Sequence, residues 1–255
     1  MCKEQNDRIG FVGEHMKFAE KLQQKSLNIL GTRTPLIAFL GDSVTQGCFE
    51  CYMRDGQIDT VFQSGDSYPE KVKRILSMLY PRSSVSIINF GVSGSTAVEG
   101  AKRLERDVLS CSPDLLIVCF GLNDSNEEYE GIEKYKIALK EIFSKAKKAG
   151  IETIFMTPNM FNTYVSYSLK EEMLIALGKI FEKRQNEGLL DLYMDAAREA
   201  CKEEDVAICD CYAIWKDMYN KGVDTTELLA NGLNHPTREM HELFAWQLVH
   251  TILNH

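Results

Sequence analysis

The chain has 255 residues and 44% hydrophobic content, enough for one large domain with a sizeable core. A formal charge of -8, with no Lys/Arg cluster set against it, gives a surface that repels phosphate backbones, so nucleic acid is not an expected partner. The opening residues lack the basic start and apolar run of a signal peptide, and no later run is apolar for long enough to span a bilayer, so the expectation is a cytoplasmic protein without a membrane partner.

An N-terminal helix is predicted over Arg8 to Leu30, packed on the outside of the domain. Short apolar runs bounded by turn residues then predict strands at Leu36 to Leu40, Val85 to Phe90, Leu115 to Phe120, Ile151 to Met156 and Val206 to Ile208. Amphipathic helical patterns lie between and after them, including Glu70 to Leu79, Ala97 to Leu109, Ile132 to Lys148, Leu189 to Lys202 and the closing Thr237 to Leu253. Such β-α-β alternation predicts a parallel sheet with helices on both faces. The near-continuous apolar strand "LLIVCF" agrees, because parallel strands are covered on both sides. Two connections are longer than a wound sheet requires, Gly47 to Tyr68 and Thr157 to Ser168, and both carry aromatic residues that could border a ligand or pack the loops down.

The triplet Gly-Asp-Ser occurs twice, and its flanks separate the two copies. Ser67 is followed by Pro69, Glu70 and an amphipathic run, which reads as a helix start with a capping box. Ser43 instead follows "PLIAFL", at the carboxyl end of the first strand, where open parallel sheets bind their ligands. That position makes Ser43 a candidate nucleophile, although the same turn could simply hold an anion. The turns after the next two strands, "NFGVSGST" and "GLNDSN", open on the same edge. Gly94 can offer a backbone N–H there and Asn123 a side-chain NH2, which are the parts of an oxyanion hole. Of the five histidines, only His235 stands in a loop just before a helix, held out of the α region by Pro236, and it is the candidate base.

Three other signals compete with this set. "GVSGS" nearly spells a nucleophile elbow around Ser93, but Ser95 stands where the last glycine is needed. The same scaffold could also be a binding module that cradles an anion or other small molecule without chemistry. Cys48 and Cys51 form a C-x-x-C pair with no second pair to complete a metal site, and they read as two loop thiols.

Four blocks in order, "GDSVTQG", "NFGVSG", "GLND" and "NHP" before a closing helix, make the chain resemble the SGNH (GDSL) hydrolases from Leu36 to the C-terminus. The resemblance implies a flavodoxin-like three-layer α/β/α sandwich with a five-stranded parallel sheet over residues 34–255, with residues 1–33 as a helical extension. It implies ester hydrolysis, or another lipid or thioester acyl hydrolysis, through an acyl-enzyme on Ser43 with His235 as base. The Ser43 N–H joins those of Gly94 and the Asn123 amide in the oxyanion hole, with a small-molecule ester as substrate and no metal or organic cofactor. The family usually carries an aspartate three residues before the histidine, where this chain has Gly232. Asn231 and Asp224 are the two candidates to orient His235. The Asn and Tyr residues of Asn159 to Tyr167 suggest a carbohydrate-like alcohol carrying a short acyl group, such as acetyl.

Overall fold

A computed structural model describes residues 17–255. The first half of the helix expected over Arg8 to Leu30 lies outside the described residues; within them, α1 spans Phe18–Leu27. Phe18 and Leu22 on its inner face are fully buried in the main hydrophobic core.

Five parallel strands form the central sheet: β1 (Leu36–Gly41), β4 (Ser86–Gly91), β5 (Leu115–Cys119), β6 (Glu152–Met156) and β7 (Ala207–Cys209). Their spatial order is β4-β1-β5-β6-β7, so the chain winds outward in both directions from β1, as in flavodoxin-like folds. Every residue of β5 is buried, as a strand covered on both faces requires. On one face α3 (Tyr68–Leu79) packs against α9 (Arg238–Asn254); on the other α4 (Ala97–Asp107), α5 (Ile132–Lys148) and α7 (Leu189–Glu204) lie side by side. The result is a three-layer α/β/α sandwich. Two further helices were not among the expected elements: α6 (Glu172–Asn186), which packs on α7, and α8 (Cys211–Asn220), capped by the Asp210 side chain.

The connection between β1 and α3 is not a loop. After the one-turn helix α2 (Ser43–Gln46), the chain forms an antiparallel hairpin of β2 (Cys48–Arg54) and β3 (Gln57–Phe62). Asp55 and Gly56 turn it, both with positive φ (51° and 76°), the backbone that matches the twist of the flanking strands. Its register shifts between Cys48 and Cys51, so Phe49 and Glu50 stand outside the paired ladder. Cys48 and Cys51 therefore belong to a strand, and both are free.

Ser67 does precede α3, but its hydroxyl donates backward to the Ser64 carbonyl (2.6 Å), and no capping box forms.

Candidate active site

Ser43 opens α2 immediately beyond the carboxyl end of β1. Asp42 caps this turn by accepting from the Val44 N–H (3.0 Å), and Asn89 of β4 donates to the Thr45 carbonyl (2.7 Å), which ties α2 to the neighbouring strand. Ser43 is consequently fixed and almost covered, with 4% of its surface exposed.

His235 arrives from the other end of the chain. Its Nε2 lies 3.0 Å from Ser43 Oγ, across 192 positions of sequence. Its Nδ1 lies 2.9 Å from the main-chain carbonyl of Phe49. A carbonyl can only accept, so Nδ1 carries the proton and Nε2 turns its lone pair toward the Ser43 hydroxyl. Burial holds the imidazole pKa down to about 4, against the smaller upward pull of the Phe49 carbonyl, and the ring is neutral at pH 7.

Neither side chain named as the orienting partner reaches the ring. Asn231 Oδ1 accepts from three successive backbone N–H groups, those of Leu233, Asn234 and His235, each at 3.0 Å. Its amide donates to Asn234 Oδ1 (2.9 Å) and toward Cys51 Sγ (3.4 Å). Asn231 thus shapes the loop that carries His235, because a short side chain with an acceptor satisfies adjacent backbone donors better than it spans to the imidazole. Asp224 accepts from the Thr226 and Glu227 N–H groups and from the Tyr164 hydroxyl, away from His235. The family position for aspartate is Gly232, whose φ is +62° and where a Cβ would meet the Ser166 Cβ at 2.9 Å. An aspartate there would be both strained and crowded. The acceptor is supplied instead by the hairpin.

The oxyanion candidates stand on the same edge. Gly94, after β4, is exposed with φ +79° and has nothing within 4 Å of a would-be Cβ. Asn123, after β5, donates one amide hydrogen to the Ser95 carbonyl (3.1 Å), which fixes the group and leaves its second hydrogen for a ligand. Ser93 is exposed, its N–H donates to Gln46 Oε1 (2.7 Å), and no described histidine hydrogen-bonds to it.

Two buried carboxyls lie behind these turns, Asp42 and Asp124. Asp124 accepts from the Ala97 N–H (2.8 Å), and each carboxyl keeps one buried oxygen without a partner. Burial pushes both pKa values up to about 7, with the Asp124 charge adding to the effect on Asp42. Burial likewise drives the Cys48 thiol up to about 12, the opposite of an activated thiolate. Among the described residues no cluster of three or more His, Cys, Asp or Glu side chains is placed to hold a metal ion.

The Asn and Tyr residues of Asn159 to Tyr167 suggest a surface that stacks on and hydrogen-bonds to sugars. Asn159 and Asn162 are instead fully buried, and their amides donate to the carbonyls of Met160 and Asn234, and of Tyr164 and Gly178. Phe161 is buried and stacked on Phe181 (4.6 Å between centroids). Tyr167 remains exposed, beside a Tyr164 whose hydroxyl is held by Asp224.

Serine, histidine and the donor turns are thus gathered at one sheet edge. The chain belongs to the GDSL-like lipase/acylhydrolase family, whose pattern matches residues 39–243. Among curated proteins it is 26% identical over 132 residues to an acetylxylan esterase of Geobacillus stearothermophilus, covering 48% of this chain and 58% of that protein. It is 30% identical over 135 residues to the uncharacterized lipoprotein YqeF of Bacillus subtilis, covering 48% and 55% respectively. The chain thus matches less than two thirds of the length of either relative. Among solved structures, an acetylxylan esterase of Geobacillus stearothermophilus superposes with a TM-score of 0.62 at 22% identity, over 86% of this chain and 94% of that one. An α/β hydrolase from the metagenome of Lake Arreo, Spain, gives a TM-score of 0.63 at 19% identity, over 87% and 97%. At these identities the two structures show a shared fold.

Proposed function

We propose that the protein is a serine esterase that removes a short acyl group, acetyl foremost, from a carbohydrate-like alcohol. The observation that carries this reading is the 3.0 Å contact between Ser43 Oγ and an imidazole whose other nitrogen is committed to a carbonyl. A simple anion cradle needs neither group.

The chemistry follows from the tautomer. Ser43 Oγ attacks the ester carbonyl carbon as its proton passes to His235 Nε2, and the carbonyl oxygen becomes an oxyanion. The N–H groups of Ser43 and Gly94 and the free amide hydrogen of Asn123 receive that charge. The imidazolium then gives its proton to the departing alcohol oxygen, the C–O bond breaks, and the acyl group remains on Ser43. Water, deprotonated by the same Nε2, repeats the attack and releases the carboxylic acid. Because a carbonyl dipole stabilises imidazolium less than a carboxylate would, the oxyanion donors supply the larger share of the rate.

The small exposed area at Ser43 suits a short acyl chain. Carbohydrate is favoured by the likeness to acetylxylan esterase and by the exposed Tyr167 on the loop packed against the His235 segment. Hydrolysis of 4-nitrophenyl acetate, butyrate and octanoate, together with acetylated xylo-oligosaccharides, tests the reading in wild type and Ser43→Ala. Acetyl substrates are expected to be preferred and the variant inactive. Equal turnover by Ser43→Ala would refute the mechanism, and a preference for octanoate would move the substrate toward lipids.

A further inference from the structure

An imidazole held by a main-chain carbonyl is only as well placed as the segment that carries the carbonyl. Here that segment is the β2–β3 hairpin, which pairs with no strand of the main sheet and whose residues beyond Phe49 are half-buried or exposed. A two-stranded hairpin holds its shape poorly alone. Something must therefore register it against the His235 loop.

Beside the contact of the Asn231 amide with Cys51 Sγ (3.4 Å), Arg238 makes that connection with charge and geometry. Arg238, the first residue of α9 and three beyond His235, directs its guanidinium onto the hairpin. It forms a two-pronged pair with the Glu50 carboxylate, Nη1 to Oε1 at 2.6 Å and Nη2 to Oε2 at 3.0 Å. Its Nε donates to Gln63 Oε1 (2.8 Å), and Gln63 in turn donates its N–H to the Gly47 carbonyl. The guanidinium carbon lies 4.3 Å from the centroid of the Phe49 ring, whose other neighbour is the buried His241 ring at 5.0 Å. The register shift between Cys48 and Cys51 frees the Phe49 carbonyl and sets Glu50 beside the arginine. An arginine in the first turn of a helix opposes the helix dipole, so its placement does not serve α9. An exposed ion pair alone adds little stability, whereas a fork that also stacks on an aromatic ring fixes geometry.

We infer that Arg238, through Glu50 and the Phe49 ring, is a positioning residue that holds the Phe49 carbonyl against His235 Nδ1 in place of a triad carboxylate. The inference rests on the assignment of Ser43 and His235 above. Glu50 and Arg238 neutralise one another, so the clamp acts by geometry and not by supplying charge to the imidazolium.

Arg238→Met keeps the apolar stem and removes the fork; Arg238→Lys keeps the charge without the planar geometry. Both are assayed on 4-nitrophenyl acetate across pH 4 to 8, with melting temperature and phosphonate labelling measured alongside. The expected result for Arg238→Met is a kcat lowered about tenfold to a hundredfold, with little change in KM. The acid limb of kcat/KM should move down, because the Phe49 carbonyl is what pulls the imidazole pKa upward. Arg238→Lys should fall between the two. Millimolar guanidinium, but not sodium at equal ionic strength, should restore part of the activity of Arg238→Ala. A kcat within threefold of wild type, or a loss that follows melting temperature with no shift of the acid limb and no rescue, overturns the inference. A wild type that neither turns over esters nor labels on Ser43 would overturn the assignment of the site instead.

Discussion

The imidazole of His235 and the carbonyl of Phe49 meet at 2.9 Å across 186 residues of chain, joining the loop before the last helix to a bulge in the hairpin. A main-chain oxygen occupies the place where a carboxylate side chain would stand in a triad. The side chains of Asn231 and Asp224 are engaged elsewhere, and their substitutions separate loop structure from catalysis.

Asp224→Asn should leave kcat/KM within a few-fold of wild type, since Asp224 contacts only a turn and Tyr164. Asn231→Asp should neither raise kcat/KM nor move its acid limb, because an oxygen at that position accepts backbone N–H groups and not the ring. Asn231→Ala, by stranding two buried backbone donors and a half-buried third, should destabilise by at least about 2 kcal/mol. Steady-state kinetics and urea melts check the three; a large activity gain in Asn231→Asp would return it to the ring.

Asn123→Ala should lower kcat about a hundredfold or more with a much smaller change in KM, as expected for a donor used mainly when charge develops. Its contact with the Ser95 carbonyl shows that the amide is already oriented. A change in KM alone would reassign Asn123 to substrate binding.

At Gly94 a methyl group meets nothing, yet the φ of +79° disfavours any side chain. Gly94→Ala should therefore cost about 1 kcal/mol or a little more in stability. Its kcat should fall further than that cost implies, because relaxing φ turns the N–H away from the oxyanion. Parallel measurement of melting temperature and kcat checks this, and a kcat unaffected in a strained variant would remove Gly94 from the donor set.

What the sequence revealed at the site follows from where the residues lie. Ser43, Gly94 and Asn123 follow successive apolar strands, and parallel winding brings such turns to one edge. His235 was marked by Pro236 and the helix that follows. The orienting group was hidden because every residue owns a carbonyl, and only tertiary structure selects one. The hairpin that carries it is legible in the sequence, because Asp55-Gly56 between "CFECYMR" and "QIDTVF" is a strong two-residue turn signal. The burial of Asn159 and Asn162 is hidden in the sequence for a related reason. Polar letters in a loop suggest surface, but a loop that passes inside the fold needs side-chain amides to satisfy its own carbonyls.

The pH dependence has two opposed parts. The lowered imidazole pKa, about 4, keeps His235 neutral well below the ordinary histidine value of 6.5, so the acid limb of kcat/KM should fall between those values. The same shift contributes stability that is complete above pH 6.5 and lost as pH falls through about 4. Asp42 and Asp124, raised from 3.8 to about 7, act in the other direction: the fold favours their protonated forms, and that contribution is lost as pH rises through 7. Asp124→Asn should therefore gain melting temperature relative to wild type at pH 8 compared with pH 5. An equal offset at both pH values would mean that Asp124 does not titrate between them.

The central claim is that Ser43 is made nucleophilic by His235 alone, with a carbonyl behind it. Its most direct test is intact-mass and peptide mapping after treatment with a serine-directed phosphonate, in wild type and in His235→Ala. The account predicts one adduct per chain, on Ser43, forming at least about a hundredfold more slowly without the imidazole. An adduct on Ser93 or Ser67, or labelling of Ser43 at an unchanged rate in His235→Ala, would contradict it.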